Sequence, residues 1–233
     1  MKKVLFLITL ALFIVSCGGD TENTMTVNGN IKGLKKGVLY LQHIDSTLVT
    51  LDSLEINGNG AFSFKTEIES PEMFYLYLNN NDHNDINDRI TFFGEPGIIT
   101  INTQWDTFEK NATVTGSTSN KKFEEFKKGM NRYNTKNLEY IQSSYDPEIS
   151  KDSLALDSIL QLNNKNTYRS YAYALNFAIN NKDSYVAPYI AVYEVADANI
   201  KYLDSLNGLL TPEIAASKYG KALKKLLEER KEE

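Results

Sequence analysis

The chain has 233 residues, of which 42% are apolar and 24% are charged, and its formal net charge is −5. This length suits one large domain or two small ones, and the composition is ordinary for a folded protein. A mildly acidic chain without a basic block excludes nucleic acid as a partner held through its phosphates. The single cysteine excludes an internal disulfide and a C-x-x-C redox pair.

Residues 1–16 have the parts of a secretory signal peptide. Lys2 and Lys3 precede an apolar stretch at positions 4–15, which is shorter than the roughly 20 residues that a membrane-spanning helix needs. The ending Ile14-Val15-Ser16-Cys17 resembles the bacterial lipobox, in which the cysteine is acylated and the chain is cut immediately before it. The alternative is an ordinary signal peptide that happens to contain a cysteine.

The lipobox resemblance implies a lipid anchor on Cys17, with residues 17–24 as the tether. Each buried CH₂ of an acyl chain contributes about 0.8 kcal/mol to membrane binding, and more than one chain makes the attachment stable. The residues that follow Cys17 are small and polar, as in flexible linkers. We therefore expect a lipid-anchored protein of the bacterial cell envelope at the outer membrane. The periplasmic face and the cell surface are the two alternatives for its location.

Residues 25–116 have the pattern of a β domain with about eight short strands. The alternation of apolar and polar residues predicts strands near residues 26–31, 37–41, 48–56, 61–65, 73–78, 89–93, 98–103 and 112–115. The segment Asn57-Gly58-Asn59-Gly60 predicts a hairpin turn, because Gly and Asn tolerate positive φ. Regular short strands separated by turns predict an antiparallel sandwich or barrel.

Residues 117–233 change to a helical period and predict a second, helical domain. A first helix is indicated by Phe123, Phe126 and Met130, and further helices are expected at about residues 150–180 and 185–206. Thr211-Pro212-Glu213 supplies an N-cap, a proline at the first helical position and an acidic first turn, which predicts a last helix beginning there. The predicted fold class is therefore α+β.

The sequence contains no catalytic constellation, so we expect a protein that is not an enzyme and needs no cofactor or metal. His43 and His83 lack a nucleophile motif, and we interpret both as surface or strand-end residues. Asp82, Asp85 and Asp88 lie in an asparagine-rich loop that could offer oxygen ligands to Ca²⁺. Their spacing differs from that of a calcium loop, and turn geometry alone explains the composition.

Aromatic side chains are the candidates for binding. Trp105, the only tryptophan, would stack on a sugar or anchor a partner if exposed, and the alternative is packing at the domain junction. Tyr168, Tyr171 and Tyr173 could line a groove or have a mixed core and interface role. Gly58-Asn59-Gly60 lacks the lysine and the following helix of a phosphate loop.

Short motifs in both halves resemble one family of envelope proteins. In the β half they are Gly29-x-Ile31, Val38-x-Tyr40-Leu41, Gly60-x-Phe62-x-Phe64, Phe93-x-Glu95-Pro96-Gly97-x-Ile99-x-Ile101 and Val114-Thr115-Gly116-Ser117 leading to Asn120. In the helical half they are Asp183-Ser184-Tyr185-Val186-Ala187, Leu203-Asp204 and Ser217-x-Tyr219-Gly220-x-x-Leu223. In order and spacing the chain is similar to domain-of-unknown-function family 4369, the N-terminal region of thioredoxin-like envelope lipoproteins of the TlpA and AhpC/TSA type.

This resemblance implies a fold, an anchor and a compartment, and it transfers no catalytic residue. In those relatives a thioredoxin domain with a C-x-x-C motif follows the last helix, and we expect that domain to be missing here, since the sequence has no second cysteine. Our leading hypothesis is a non-catalytic envelope lipoprotein that binds or scaffolds a partner, namely a peptide, another envelope protein or a separate thioredoxin-like protein. The alternatives are a surface lipoprotein that binds glycan or a small nutrient, a hydrolase with an unrecognised carboxylate site, and a truncated relative that has lost its function.

Overall fold

A computed structural model of the chain describes residues 23–79 and 89–232, in which eight strands precede six α-helices. The strands are β1 (Thr24–Lys32), β2 (Lys36–Ile44), β3 (Leu48–Asn57), β4 (Ala61–Glu67), β5 (Glu72–Asn79), β6 (Arg89–Gly94), β7 (Gly97–Gln104) and β8 (Thr113–Thr115). The helices are α1 (Thr118–Ser144), α2 (Ser153–Asn180), α3 (Val186–Tyr193), α4 (Ile200–Leu209), α5 (Pro212–Ala216) and α6 (Lys218–Glu232). The predicted α+β class, with strands before helices, is confirmed.

The strands form two four-stranded sheets. The first sheet has the order β4-β1-β7-β8 and the second sheet has the order β3-β2-β5-β6. Over the described residues the two sheets do not close into a barrel, so the barrel alternative is wrong. The prediction of a purely antiparallel domain is also wrong, because β1 pairs with β7 in parallel, with Val27 opposite Ile99. These strands are distant in sequence, and no local signal records the direction of such a long-range pairing.

The turn at Asn57-Gly58-Asn59-Gly60 joins the two sheets and does not form the predicted hairpin. β3 pairs with β2 in the second sheet, whereas β4 pairs with β1 in the first sheet. Gly58 does have a positive φ of 104°, as the turn prediction requires. A Cβ at Gly60 would collide with the carbonyl oxygen of Ile31, so glycine lets the connection pass close against β1. The turn chemistry was predictable, but the choice of partner strand was not.

Buried side chains of both sheets belong to one hydrophobic core. Val27 and Ile99 of the first sheet and Leu39, Phe74 and Phe92 of the second are buried there. Burying a side chain of this size contributes about 1.5–3 kcal/mol relative to leaving it exposed. This core is the main source of stability for the strands.

A second hydrophobic core connects the helices to the second sheet. Met73 of β5 and Phe93 of β6 are buried in it together with residues of α1, α3 and α6, among them Phe123, Ile190 and Leu223. The backbone amide of Met73 also donates to the Tyr219 hydroxyl, at 2.9 Å. The helical half therefore packs directly on the β half.

Polar side chains fasten the beginning of α1 to the edge strand β6. Ser117 Oγ donates to the Phe93 carbonyl oxygen at 2.8 Å, and Asn120 Oδ1 accepts from the Phe93 amide at 2.9 Å. Glu95 accepts from the Thr118 amide at 2.5 Å, which places a negative charge at the N-terminus of α1. We call this set, Phe93, Glu95, Ser117, Thr118 and Asn120, the β6 junction. It supplies the backbone partners that a further strand would otherwise provide.

Two of the predicted helices are each divided in the structure. The helix expected at residues 185–206 ends at Tyr193, and a new helix begins because the Asn199 side chain accepts from the backbone amide two residues later, at 3.0 Å. The expected last helix is divided at Ser217, whose Oγ accepts from the backbone amide three residues later, at 3.2 Å. Thr211 caps α5 as predicted. No helix in the described part of the chain has the length and apolar character needed to span a membrane.

Candidate functional site: a tyrosine-lined groove

A groove on the helical half lies between α2 and the beginning of α4, with a volume of about 820 Å³. Its lining combines aromatic rings, side-chain amides, one carboxylate and a short apolar floor. We call it the tyrosine groove. It is lined by Asn164, Thr167, Tyr168, Tyr171, Ala172, Leu175, Asn176, Ile179, Asp197, Ala198, Asn199 and Tyr202.

The α2 wall of the groove follows from helical spacing. Tyr168, Tyr171, Leu175 and Ile179 recur at intervals of three or four residues, which places them along one face of the helix. Leu175 is buried in the core of the helical half, whereas the Tyr168 side chain is 76% exposed. The wall from Asn164 to Ile179 is roughly 22 Å long at 1.5 Å per residue. It offers a ligand an elongated surface.

Arg230 of α6 holds the opposite wall in place. Its Nη1 donates to the carbonyl oxygens of Ala196 at 2.8 Å and Ala198 at 2.7 Å, on either side of Asp197. The Tyr171 hydroxyl donates to Asp197 Oδ1 at 2.7 Å and thereby joins the two walls. The position of the Asp197 carboxylate is therefore determined by the protein's own hydrogen bonds.

The bond between Tyr171 and Asp197 also raises the pH at which the Tyr171 hydroxyl loses its proton. The hydrogen bond to Asp197, with partial burial as a further cause, raises the pKa of Tyr171 to about 12. The hydroxyl, which is protonated in the neutral range in any case, therefore keeps its proton further into the alkaline range and continues to donate to the carboxylate. Asp197 is the one formal charge among the described lining residues. A ligand would be recognised here by aromatic contact and hydrogen bonds.

A second cleft, of about 560 Å³, lies where β2 and β5 meet α6. Glu72, whose side chain is 11% exposed, has Oε1 3.2 Å from Nδ1 of His43 and Oε2 bonded to the ammonium group of Lys218. Lys218 also donates to the carbonyl oxygen of Ile44 at 2.5 Å. The His43 ring stacks on Phe74, with ring centroids 5.9 Å apart. We call this the charged cleft. The Glu72–Lys218 ion pair and the hydrogen bond from Lys218 to Ile44 tie the β half to α6.

The aromatic residues predicted for binding lie in different places. Trp105 is 49% exposed and follows β7 in a short 3₁₀-helix, where its ring lies against Gly33 within the β half. Tyr168 and Tyr171 line the tyrosine groove. Tyr173 instead stacks on Phe126 in the contact between α1 and α2, at 5.9 Å. The structure thus brings together two of the three tyrosines and separates Trp105 from them.

Other predictions fall on residues that the structure does not describe. These are the signal peptide at residues 1–16, the lipidation site Cys17, and the loop residues Asp82, His83, Asp85 and Asp88. Over residues 23–79 and 89–232, no group of three or more His, Cys, Asp or Glu side chains is arranged to hold a metal ion.

Sequence reasoning missed Asp197, Asn199 and Tyr202. One signal was present, because Asn199 precedes the helical run Ile-Lys-Tyr-Leu, and asparagine is a preferred N-cap residue. Recognising that cap would have divided the third predicted helix and placed Tyr202 in the first turn of α4. Nothing local indicates that Tyr202 and Tyr168 line the same groove, since this depends on how α4 packs against α2.

Comparison with known proteins yields a family match for the β half. Residues 25–123 match the model of the family described as Domain of unknown function (DUF4369). The β half is therefore the part of the chain that is similar to this family. The match agrees with the resemblance that the motifs indicate, and it extends past β8 into α1, so it includes the β6 junction. No significant match exists among curated proteins or solved structures.

The tyrosine groove lies beyond the part of the chain that matches the DUF4369 model. All of its lining residues fall between Asn164 and Tyr202, whereas the match ends at residue 123. The similarity to this family therefore concerns the β half and the beginning of α1, and a role for the groove has to be argued from its own chemistry.

Proposed function

We propose that this protein is a lipid-anchored lipoprotein of the bacterial outer membrane that acts as a non-catalytic binding module through the tyrosine groove. The observation that carries the proposal is the groove itself, whose exposed rings and amides surround a carboxylate held by Tyr171. Concave sites with aromatic linings and a few fixed polar groups are typical of ligand binding. The lipobox-like sequence ending at Cys17 supports a location in the cell envelope.

The chemistry of both clefts favours binding over the hydrolase alternative. General acid–base catalysis needs a group that exchanges its proton near the working pH. The pKa of Tyr171, at about 12, is too high for that role, and the Asp197 carboxylate accepts the hydrogen bond of that same hydroxyl. In the charged cleft, the Glu72 carboxylate is engaged by both His43 and Lys218.

We further infer that the β half is a β-sandwich that serves as a platform for the helices. The support is that buried residues of both sheets form one core, and that the second sheet carries Met73 and Phe93 into the helical core. Two sheets that bury their inner faces against each other form a sandwich. Such a platform would hold the groove at a set distance from the tether.

Replacing the lipobox cysteine tests the anchor. Cys17→Ser should transfer the protein from the membrane fraction to the soluble fraction and abolish the incorporation of labelled palmitate. The unfolding temperature of the domains should not change, because the substitution lies in the tether. Thr21→Ser is the matched control and should stay in the membrane fraction. A Cys17→Ser protein that stayed in the membrane would show the lipid anchor to be wrong.

Capture from solubilised envelopes tests the binding role. The full-length protein is immobilised as wild type, as the double variant Tyr168→Ala/Tyr202→Ala, and as the control Tyr145→Ala, which removes a ring that is 80% exposed outside the groove. Wild type and control should retain the same protein or carbohydrate, and the double variant less by at least about ten-fold. Mass spectrometry would reveal whether a retained protein is thioredoxin-like, as the family resemblance suggests. Equal retention by the double variant would count against the groove as the binding site.

A further inference from the structure

We propose that the tyrosine groove binds a neutral oligosaccharide. This inference rests on the proposed binding role and names the ligand class for that site. Three properties of the groove carry it, namely exposed rings on both walls, side-chain amides on the same two walls, and a lining whose single formal charge is a carboxylate.

The exposed rings suit the apolar faces of sugar rings. Tyr168 on the α2 wall is 76% exposed and Tyr202 on the α4 wall is 58% exposed, so both rings are accessible to a ligand. A pyranose has flat C–H faces and a polar rim, and a tyrosine has a flat face and one polar tip. Stacking buries both apolar faces and leaves the hydroxyl groups free to form hydrogen bonds.

The polar groups of the groove suit sugar hydroxyls. Asn164, Asn176 and Asn199 each carry an amide with two N–H donors and one oxygen acceptor. Oδ1 of Asn199 caps α4, so its amide nitrogen is the end available for a ligand. A hydroxyl group both donates and accepts, so it can pair with either end of an amide. It can also donate to the Asp197 carboxylate in a charge-assisted hydrogen bond, which is shorter and stronger than a neutral one.

The charge of the groove argues against anionic ligands. The described lining residues include no Lys, Arg or His, while Asp197 would repel a phosphate, a sulfate or an acidic sugar. Peptide sites are commonly a free strand edge or a groove with a deep apolar pocket for an anchor side chain. Here one wall is the helix α2, the other is the connection before α4 with the first turn of that helix, and the Tyr168 and Tyr202 rings are exposed. A neutral saccharide fits these features better than a peptide does.

The size of the groove favours several sugar units over one. Its α2 wall is roughly 22 Å long, and its volume of about 820 Å³ lies near the upper end of ligand pockets. A monosaccharide is much shorter than this wall and would leave most of the groove uncovered. An extended oligosaccharide can contact Tyr168, Tyr202 and the amides at the same time.

Calorimetric titration of the full-length lipoprotein in detergent tests the inference. The probes are cellohexaose, xylohexaose, mannohexaose, maltohexaose and N-acetylchitohexaose. At least one should bind with micromolar to millimolar affinity. Tyr168→Ala and Tyr202→Ala should each weaken that binding about ten-fold, and Tyr145→Ala should leave it unchanged. Tyr202→Phe, which keeps the ring, should retain it.

A second measurement does not depend on the variants. The side-chain amide signals of Asn164, Asn176 and Asn199 should shift in nuclear magnetic resonance spectra as the sugar is added. Failure of all five probes to bind at millimolar concentration would overturn the inference, as would binding that leaves these amides unshifted. If no probe binds but the double variant still retains less protein or carbohydrate than wild type in the capture experiment, the ligand class is wrong and the binding role stands. If wild type retains a peptide in that experiment, the ligand of the groove is a peptide and the oligosaccharide inference is wrong.

Discussion

The β6 junction and the tyrosine groove differ in how far their characteristic side chains are buried. At the junction, Asn120 and Ser117 are buried, and both bond to the backbone of Phe93. In the groove, Tyr168 and Tyr202 expose their rings. Polar groups that are buried and fully bonded hold a structure together, because losing one partner leaves the other unpaired away from water. Exposed rings contribute little to stability, so their presence on both walls of a groove indicates another role.

This contrast predicts that variants of the two regions affect different properties. Substitutions at the junction or in the charged cleft should reduce the free energy of unfolding and leave ligand affinity unchanged in the folded protein. Substitutions of the exposed groove rings should reduce ligand affinity and leave the free energy of unfolding nearly unchanged. A groove-ring variant that destabilised the protein as much as a junction variant would remove the distinction.

The largest effect is expected for Asn120→Ala. The substitution removes the acceptor for the Phe93 amide. It also leaves a cavity, because the Asn120 side chain is almost fully buried. An unpaired buried donor costs about 1–3 kcal/mol, so we expect a loss of about 2 kcal/mol in urea unfolding. Lys121→Ala, at an exposed neighbouring position, should change the stability by less than about 0.5 kcal/mol. Unchanged stability of Asn120→Ala would mean that the junction does not hold α1 to β6.

A smaller loss is expected for Glu72→Gln in the charged cleft. The amide keeps the size of the side chain but removes the charge that His43 and Lys218 share. We expect a loss of about 1 kcal/mol that decreases in high salt, because the pair is partly open to solvent. Glu69→Gln is the matched control, since Glu69 lines the same cleft and is exposed. An equal loss in both variants would contradict the tie between β5 and α6.

Tyr171→Phe should cost about 0.5–1 kcal/mol, because the lost hydrogen bond is partly screened by solvent. The pKa of Tyr171 is raised to about 12 in the fold, above its ordinary value of 10.0, so folding favours the protonated hydroxyl. Its contribution is complete below about pH 10 and is lost as the pH rises from about 10 to about 12.

Unfolding measured between about pH 8 and about pH 12 checks this pH dependence. The difference between wild type and Tyr171→Phe should shrink across the upper part of that range. Tyr202→Phe, which removes a hydroxyl from the other wall, serves as the control. A difference that did not change with pH would mean that the bond to Asp197 is not what stabilises the Tyr171 hydroxyl.

The smallest effect on stability is expected for Tyr168→Ala. Most of the ring is exposed, and alanine has the higher helix propensity, so the free energy of unfolding should change by less than about 0.5 kcal/mol. Thermal unfolding of Tyr168→Ala beside Tyr145→Ala compares two exposed tyrosines, one inside the groove and one outside it. A clear loss in Tyr168→Ala alone would assign its ring a structural role.

Local signals predicted the elements of the fold well. The eight strands lie where alternation placed them, Gly58 has the positive φ that its turn requires, and Thr211 caps a helix. The same signals failed wherever an element depends on a distant partner. The parallel pairing of β1 with β7 and the passage from β3 to β4 between sheets are both decided by contacts remote in sequence.

The candidate site was predictable only in part. Helical spacing puts Tyr168 and Tyr171 close together on α2, and an N-cap signal at Asn199 was available to place the beginning of α4. The pairing of Tyr171 with Asp197, and the support of that segment by Arg230, joins residues from separate parts of the chain. Trp105 shows the converse: it is the only tryptophan of the sequence, yet it lies against Gly33 and does not line the tyrosine groove.

The sequence by itself determined the α+β order of this protein, the DUF4369 motifs of its β half and the local turns and caps, because each depends on neighbours a few residues apart. Tertiary structure alone decided which sheet each strand joins, how the β6 junction holds α1, and which tyrosines line one groove. The physical reason is that these features arise from burying apolar surface and satisfying buried hydrogen bonds between distant segments. The side-chain pattern within one segment indicates its secondary structure but does not indicate which distant segment it packs against.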